Sequence, residues 1–245
     1  MLRLEGITRR FGGLTAVDHV DLEIMSGNVH SIVGPNGAGK TTLFNLISGF
    51  IKPHEGQIFL DGREISRLPI HKRVPLGLVR TFQNIRLFEG LTVYENVLVA
   101  QHCRAPRLTM RISARADEER RLRARADQLV DLLDLGDYRD RLATGMPYGV
   151  QKRLELARAM ASQPRVLLLD EPTAGMNESE SRRILAEILA LRTGGTTIVL
   201  VEHDMEVVMG ASDMITVLNF GKVIAHGTPQ QVFADQTVRE AYLGT

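Results

Sequence analysis

Over the first sixty residues apolar and polar positions alternate. Val20, Leu22 and Ile24 fall on one face of an extended segment, and GQIFLDG (56–62) reads as a strand ending in an Asp61-Gly62 turn. The chain therefore begins rich in β-structure. From Thr92 the period becomes helical, with Thr92 and Glu95 spaced as a capping box and a long charged stretch, ARADEERRLRARADQLVDLLDLG, following at 114–136. This middle part predicts a helical insert. After Pro164 short, wholly apolar runs return: VLLLD (166–170) and TTIVLVEHD (196–204), separated by a helix that Asn177 caps with Glu180. Runs of this kind predict buried parallel strands. ITVLNFGKVIAHG (215–227) reads as a hairpin, and Thr228-Pro229 supplies an N-cap and first position for a last helix. No internal repeat, low-complexity tract or flexible linker interrupts this order.

Composition narrows the picture. The 245 residues are 44% apolar, enough for a sizeable core, and thirty basic against twenty-nine acidic residues give a net charge of +1. No global field drives binding to nucleic acid or an anionic membrane, so partners must be recognised locally. The single cysteine, Cys103, excludes an internal disulfide and agrees with a reducing compartment, the cytosol. MLRLEGITRR carries no apolar core of signal-peptide length, and no stretch approaches the roughly 20 apolar residues of a membrane span. Membrane work is expected only of a peripheral subunit.

The chemistry concentrates at two places. In SIVGPNGAGKTTL (31–43) an apolar strand end runs into Gly34, Gly39, Lys40 and Thr41 at phosphate-loop spacing. Glycines let successive N–H groups of Asn36, Gly37, Ala38 and their neighbours through Thr42 turn toward a phosphate, and the following helix adds the positive end of its dipole. Lys40 supplies a point charge to the outer phosphates, and the Thr41 hydroxyl can ligate Mg2+. Further on, VLLLDEP (166–172) ends a buried strand at Asp170 and Glu171. Ligands gather at the carboxyl ends of parallel strands, so both carboxylates are expected to face the nucleotide, Asp170 in the Mg2+ shell and Glu171 polarising an attacking water. A water activated there means hydrolysis.

Taken in order, GPNGAGKT, TFQN, MPYGVQKRLELARAM, VLLLDEP and EHD resemble the nucleotide-binding subunit of an ATP-binding cassette (ABC) transporter over essentially the whole chain. The resemblance implies an α/β phosphate-loop NTPase of ABC type: a mixed sheet, an antiparallel β region and a helical insert, with 1–245 one nucleotide-binding domain and 84–162 its helical subdomain. It implies that ATP and Mg2+ bind, and that two subunits sandwich two ATP molecules, the signature turn of one closing on the nucleotide of the other. By resemblance Phe11 stacks on adenine, although an aromatic in a β-rich region is equally at home in a core. Gln83 contacts Mg2+ or the attacking water, and His203 is the switch histidine that hydrogen-bonds the γ-phosphate. Tyr148 and Gly149 open the signature helix. That signature departs from the family's Leu-Ser-Gly-Gly-Gln, with Met146, Pro147, Tyr148, Gly149 and Val150 in those places. Pro147 has no hydroxyl to offer phosphate, so Gly149 and the helix amides must carry more of the contact. AGMN (174–177) fills the loop that joins the subunits.

FGGLTAV, RTFQNIRLF, PYG, EPTAGMN, VEHDMEVVM and the ending VFADQTVREAYLG are similar to the ATP-binding subunits of branched-chain (hydrophobic) amino acid importers. That likeness implies ATP hydrolysis on the cytoplasmic face of the inner membrane, two transmembrane permease subunits, a second ATPase in a homo- or heterodimer, and an extracytoplasmic substrate-binding protein. It implies no nucleic acid. Importers of urea or short amides are related alternatives. A soluble ABC ATPase working on DNA or ribosomes fits less well, since such chains usually pair two cassettes or insert a long coiled coil, and a phosphate-loop kinase has no use for a second glycine turn. Residues 104–125 hold eight arginines against Asp117, Glu118 and Glu119, a local charge of +5 that reads as a solvated helix face or a contact with headgroups or membrane subunits.

Overall fold

The computed structural model describes residues 1–81, 85–101 and 112–243. They form two compact units, Met1–Arg80 with Arg165 onward, and Thr81–Pro164. In the first unit β1 (Leu2–Phe11) and β2 (Leu14–Ile24) pair antiparallel, Leu4 opposite Leu22 and Ile7 opposite Val20. Their alternating residues bury one face, as the period of two requires. β3 (Val29–Val33) is buried along its whole length and runs through the phosphate loop into α1 (Lys40–Ser48). β4 (Glu55–Leu60) turns at Asp61-Gly62 into β5 (Arg63–Glu64). Both turn residues have positive φ, +50° and +76°, which suits a two-residue hairpin. The first sheet has the order β2-β1-β4-β5. α2 (Ile70–Arg73) and β6 (Leu78–Arg80) complete this half.

The second unit is helical: α3 (Val93–Ala100), α4 (Ile112–Leu132) and α5 (Tyr148–Ala161). Thr92 caps α3 with a reciprocal capping box to Glu95. Its interior includes Val97, Leu129, Val130, Leu133 and Leu154, all buried. Lys152 and Arg153, the basic pair after the signature turn, are buried as well. Arg153 donates to the carbonyls of Leu133 and Asp134 and pairs with the Asp134 carboxylate at 3.0 Å, tying α5 to the end of α4. Of the arginine-rich segment, 104–111 lies outside the described residues. Farther along, Arg120 pairs with Asp117 and Arg123 with Glu119, intrahelical pairs of the kind that solvate a helix face.

The chain re-enters the first unit at β7 (Val166–Asp170), followed by α6 (Glu178–Thr193), β8 (Thr197–Val201), α7 (Met205–Ala211), β9 (Met214–Asn219), β10 (Lys222–Gly227), α8 (Pro229–Ala234) and α9 (Gln236–Leu243). Asn177 and Thr228 cap α6 and α8 with capping boxes. The second sheet is mixed, in the order β10-β9-β3-β8-β7-β6, with only the β9/β10 hairpin antiparallel. β3, β7 and β8 are buried on both faces, which explains their unbroken apolar runs. Leu43, Phe44, Leu46 and Ile47 of α1 pack with the first sheet and with β3, β7 and β8 in one core. Val208, Val232 and Val238 join Val33, Ile215 and Val217 in a second.

Candidate active site

The phosphate loop leaves β3 at Gly34 and enters α1 at Lys40. Two of its glycines are demanded by close approach. A Cβ on Gly34 (φ +153°) would stand 2.1 Å from the Leu218 carbonyl oxygen, and one on Gly39 (φ +105°) would stand 2.4 Å from that of Ala16. Gly39 is also the N-cap of α1 and provides no side-chain acceptor, so the first-turn amides stay open to an anion. The loop is braced from outside by the Gly221 amide, which donates to the Ala38 carbonyl at 2.9 Å. Inside it, the buried Lys40 Nζ donates to the carbonyls of Gly34 (2.6 Å) and Pro35 (3.0 Å). Burial pushes the Lys40 ammonium below its ordinary range, while the charges of Glu171 and Asp170 act in the opposite direction.

A cavity of about 550 Å³ opens over this loop, lined by Asn36, Gly37, Ala38, Gly39, Lys40, Thr41 and Thr42 together with Glu171, His203, Phe11, Leu14, Thr15, Ala16 and Phe220. Arg9 lies over one face of the Phe11 ring, 4.8 Å from its centroid. That half-exposed ring lines the cavity. Glu171 sits just past β7 with φ +48°, left-handed backbone that a non-glycine residue adopts at a cost. Its amide donates to the Val201 carbonyl at 2.9 Å, and its Oε1 lies 3.0 Å from His203 Nε2.

Asp170 is placed differently from expectation. It is buried, not on the cavity wall, and its Oδ2 accepts from Arg80 Nη2 at 2.6 Å. Arg80 also donates to Asn45 Oδ1 and Ser48 Oγ of α1. Gly34, at the start of the loop, is not among the residues lining the cavity. Gln83 lies outside the described residues. Tyr148 and Gly149 belong to the helical unit, where they form the first two residues of α5. Pro147 caps that helix without a side-chain bond, leaving its first amides open, and Tyr148 is exposed. Val150, in the place of the family's glutamine, is buried. Phe220 was not read from sequence. The signal for it is local, an aromatic before Gly221 in a two-residue hairpin turn with both φ values positive, which thrusts the ring outward.

The residues fit a nucleoside triphosphate: loop amides and an ammonium for the phosphates and aromatic side chains for a base line one cavity. Mg2+ usually takes one or two protein ligands with substrate phosphates, and Thr41, on the cavity wall, is of the right chemistry. The profile of the family described as "ABC transporter" matches residues 17–174. The chain belongs to the ABC transporter family. A second family profile, "Branched-chain amino acid ATP-binding cassette transporter", matches residues 222–245. Among relatives of this ABC chain, the high-affinity branched-chain amino acid transport ATP-binding protein BraF of Pseudomonas aeruginosa is 45% identical, covering 100% of this chain and 98% of that protein. LivG of Escherichia coli K12, described in the same words, is 43% identical with the same coverage. The structure of the ADP conformation of an ABC transporter's ATP-binding cassette superposes with a TM-score of 0.85 at 29% identity, covering 100% of this chain and 99% of that one. The family and fold resemblance read from the motifs is thereby borne out.

Proposed function

We propose that this protein is the ATP-hydrolysing subunit of an importer of branched-chain amino acids. The observation that carries the hydrolytic reading is the convergence of the phosphate loop, Glu171 and His203 on one cavity. Matching of the last residues to the branched-chain family, and the names of BraF and LivG, support the transported class. In this reading the loop amides, Asn36 to Thr42 and Lys40 hold the phosphates, with Phe11 against the base. Glu171 takes the proton of the attacking water, and His203, bonded to Glu171, keeps that carboxylate oriented and reaches the γ-phosphate. Thr41 and Gln83 would hold Mg2+, which would neutralise charge on the phosphates, while Asp170 stays paired with Arg80. The helical insert 84–162 is a subdomain of one nucleotide-binding domain, and Tyr148 and Gly149 present the amides of α5 to the ATP of a second ATPase subunit.

Among the described residues no helix is long and apolar enough to cross a membrane. Attachment is through permease subunits at the cytoplasmic face, with a substrate-binding protein on the far side. Two measurements test the reading. Glu171→Gln is expected to bind ATP, barely hydrolyse it and accumulate as a nucleotide-bound dimer in gel filtration, and native turnover in that variant removes Glu171 from the chemistry. Cells whose own copy carries Lys40→Ala are expected to lose uptake of labelled leucine, isoleucine and valine. Intact uptake with hydrolysis gone sends the search to urea or short amides.

A further inference from the structure

Beyond the residues that line the cavity, we propose that Glu202 is a positioning residue for hydrolysis: its buried carboxylate locks His203 and the loop after Glu171 into the geometry that brings the Glu171 carboxylate to the His203 ring. The argument begins with register. β7 and β8 are parallel with Asp170 beside Val201, so one residue farther Glu171 comes beside Glu202, at the point where both strands end. The ladder ends there with the Glu171 amide donating to the Val201 carbonyl, and side chains add the ties beyond it. Glu202 is 3% exposed and absent from the cavity wall. Its Oε1 accepts from the Thr173 amide at 2.9 Å and the Thr173 hydroxyl at 2.6 Å, and its Oε2 accepts from the His203 amide at 3.0 Å.

The two strand ends are therefore tied crosswise: Glu202 reaches over to Thr173, while His203 reaches back to Glu171 at 3.0 Å. Bonds to a buried carboxylate are charge-assisted and strong, and a site displaced by about 1 Å loses rate steeply. Glu202 fixes both segments without touching a reacting atom, so it acts through His203 and Glu171. The inference rests on the hydrolytic reading of that pair.

Glu202→Gln is the informative change, because a glutamine has a single acceptor oxygen and cannot serve both Thr173 and the His203 amide. In the full chain its kcat for ATP is expected to fall about tenfold, with KM and the affinity for a fluorescent ATP analogue within about twofold of native. Thr173→Val, which removes only the hydroxyl donor, is expected to lower kcat about threefold in the same pattern and guards against a folding artefact in the first variant. In single-turnover assays with enzyme in excess, adding Glu202→Gln to His203→Ala is expected to cost only about threefold, against about tenfold in the native background, since the part of its effect carried by the His203 ring is already gone and only the Thr173 tie to the loop after Glu171 remains. Full additivity in that cycle, or native kcat in Glu202→Gln, overturns the positioning role. Native turnover in His203→Ala itself would instead sink the hydrolytic reading, so the two failures are distinguishable.

Discussion

Arg73 is a buried cation that the described structure surrounds with backbone oxygens, and replacing it tests how the phosphate-loop helix is anchored. Its side chain is 0% exposed. Nε donates to the Leu68 carbonyl at 2.7 Å, Nη1 to Leu46 at 2.9 Å and Ile47 at 2.6 Å, and Nη2 to Ser66 at 3.1 Å. Leu46 and Ile47 lie in the last turn of α1, so the guanidinium sits at the negative end of the helix whose other end opens on the phosphate loop. Gly49 makes room for it, since a Cβ there would meet Arg73 Nε at 2.5 Å. Burial pushes the guanidinium well below its ordinary range, to about 10. At about 1.4 kcal/mol per pH unit, that fall represents ~3 kcal/mol against the charged form.

Four hydrogen bonds from a charged donor at about 1.5 to 3 kcal/mol each outweigh it, by ~3 kcal/mol at the low end. Arg73→Met keeps the stem and removes the donors, so it is expected to destabilise by ~3 to 5 kcal/mol. For a chain of this size that is a drop of about 10 °C in Tm, read by circular dichroism, with urea unfolding giving the free energy. Arg73→Lys keeps the charge but not the planar fork and is expected to fall between. A Met variant within about 1 kcal/mol of native would refute the reasoning, showing that the burial cost cancels the bonds.

His30 is buried and held by burial, then by the neighbouring His226 charge, at about 3 against 6.5 when unfolded. The unfolded chain therefore takes up a proton first as pH falls below about 6.5, and stability is lost at up to about 1.4 kcal/mol per pH unit toward pH 3. His30→Gln, which can still bond Thr216, is expected to flatten the slope of urea stability between about pH 4.5 and 6, and an unchanged slope assigns the acid lability elsewhere. Phe11→Ala is expected to weaken binding of a fluorescent ATP analogue about tenfold, and a change under about twofold would put Phe11 outside the base site. Gly34→Ala must shift the loop off the Leu218 carbonyl, so nucleotide affinity is expected to fall at least about tenfold, and native affinity would contradict the close packing.

What could be read from sequence was local. The capping boxes at Thr92 and Asn177, the N-cap at Thr228 and the turn at Asp61-Gly62 depend on residues within four positions, and the structure has all of them. The phosphate loop was legible for the same reason. Arg73 was not, because its partners are carbonyls up to 27 positions away, and a carbonyl has no residue type to read. Arg80 meets Asp170 across 90 positions, and only the pairing of β6 with β7 brings them together. The burial of Lys152 and Arg153 was not legible either, because composition cannot tell which side of α5 meets α4.

The expectation that Asp170 and Glu171 face the nucleotide together overlooked the pleat. Consecutive side chains of a strand point to opposite sides, so an acidic pair at a strand end is divided. Asp170 turns inward to Arg80 and the α1 side chains, while Glu171 reaches the cavity only by leaving the strand through left-handed backbone at φ +48°. That conformation costs on the order of 1 kcal/mol or more, and something must hold it. The Val201 carbonyl takes the Glu171 amide, His203 takes the carboxylate, and Glu202 fixes Thr173 just beyond. Each brace comes from the end of β8. The acid on the cavity wall is thus set by the neighbouring strand, and its placement depends on the register of β7 and β8 more than on the residues that flank it.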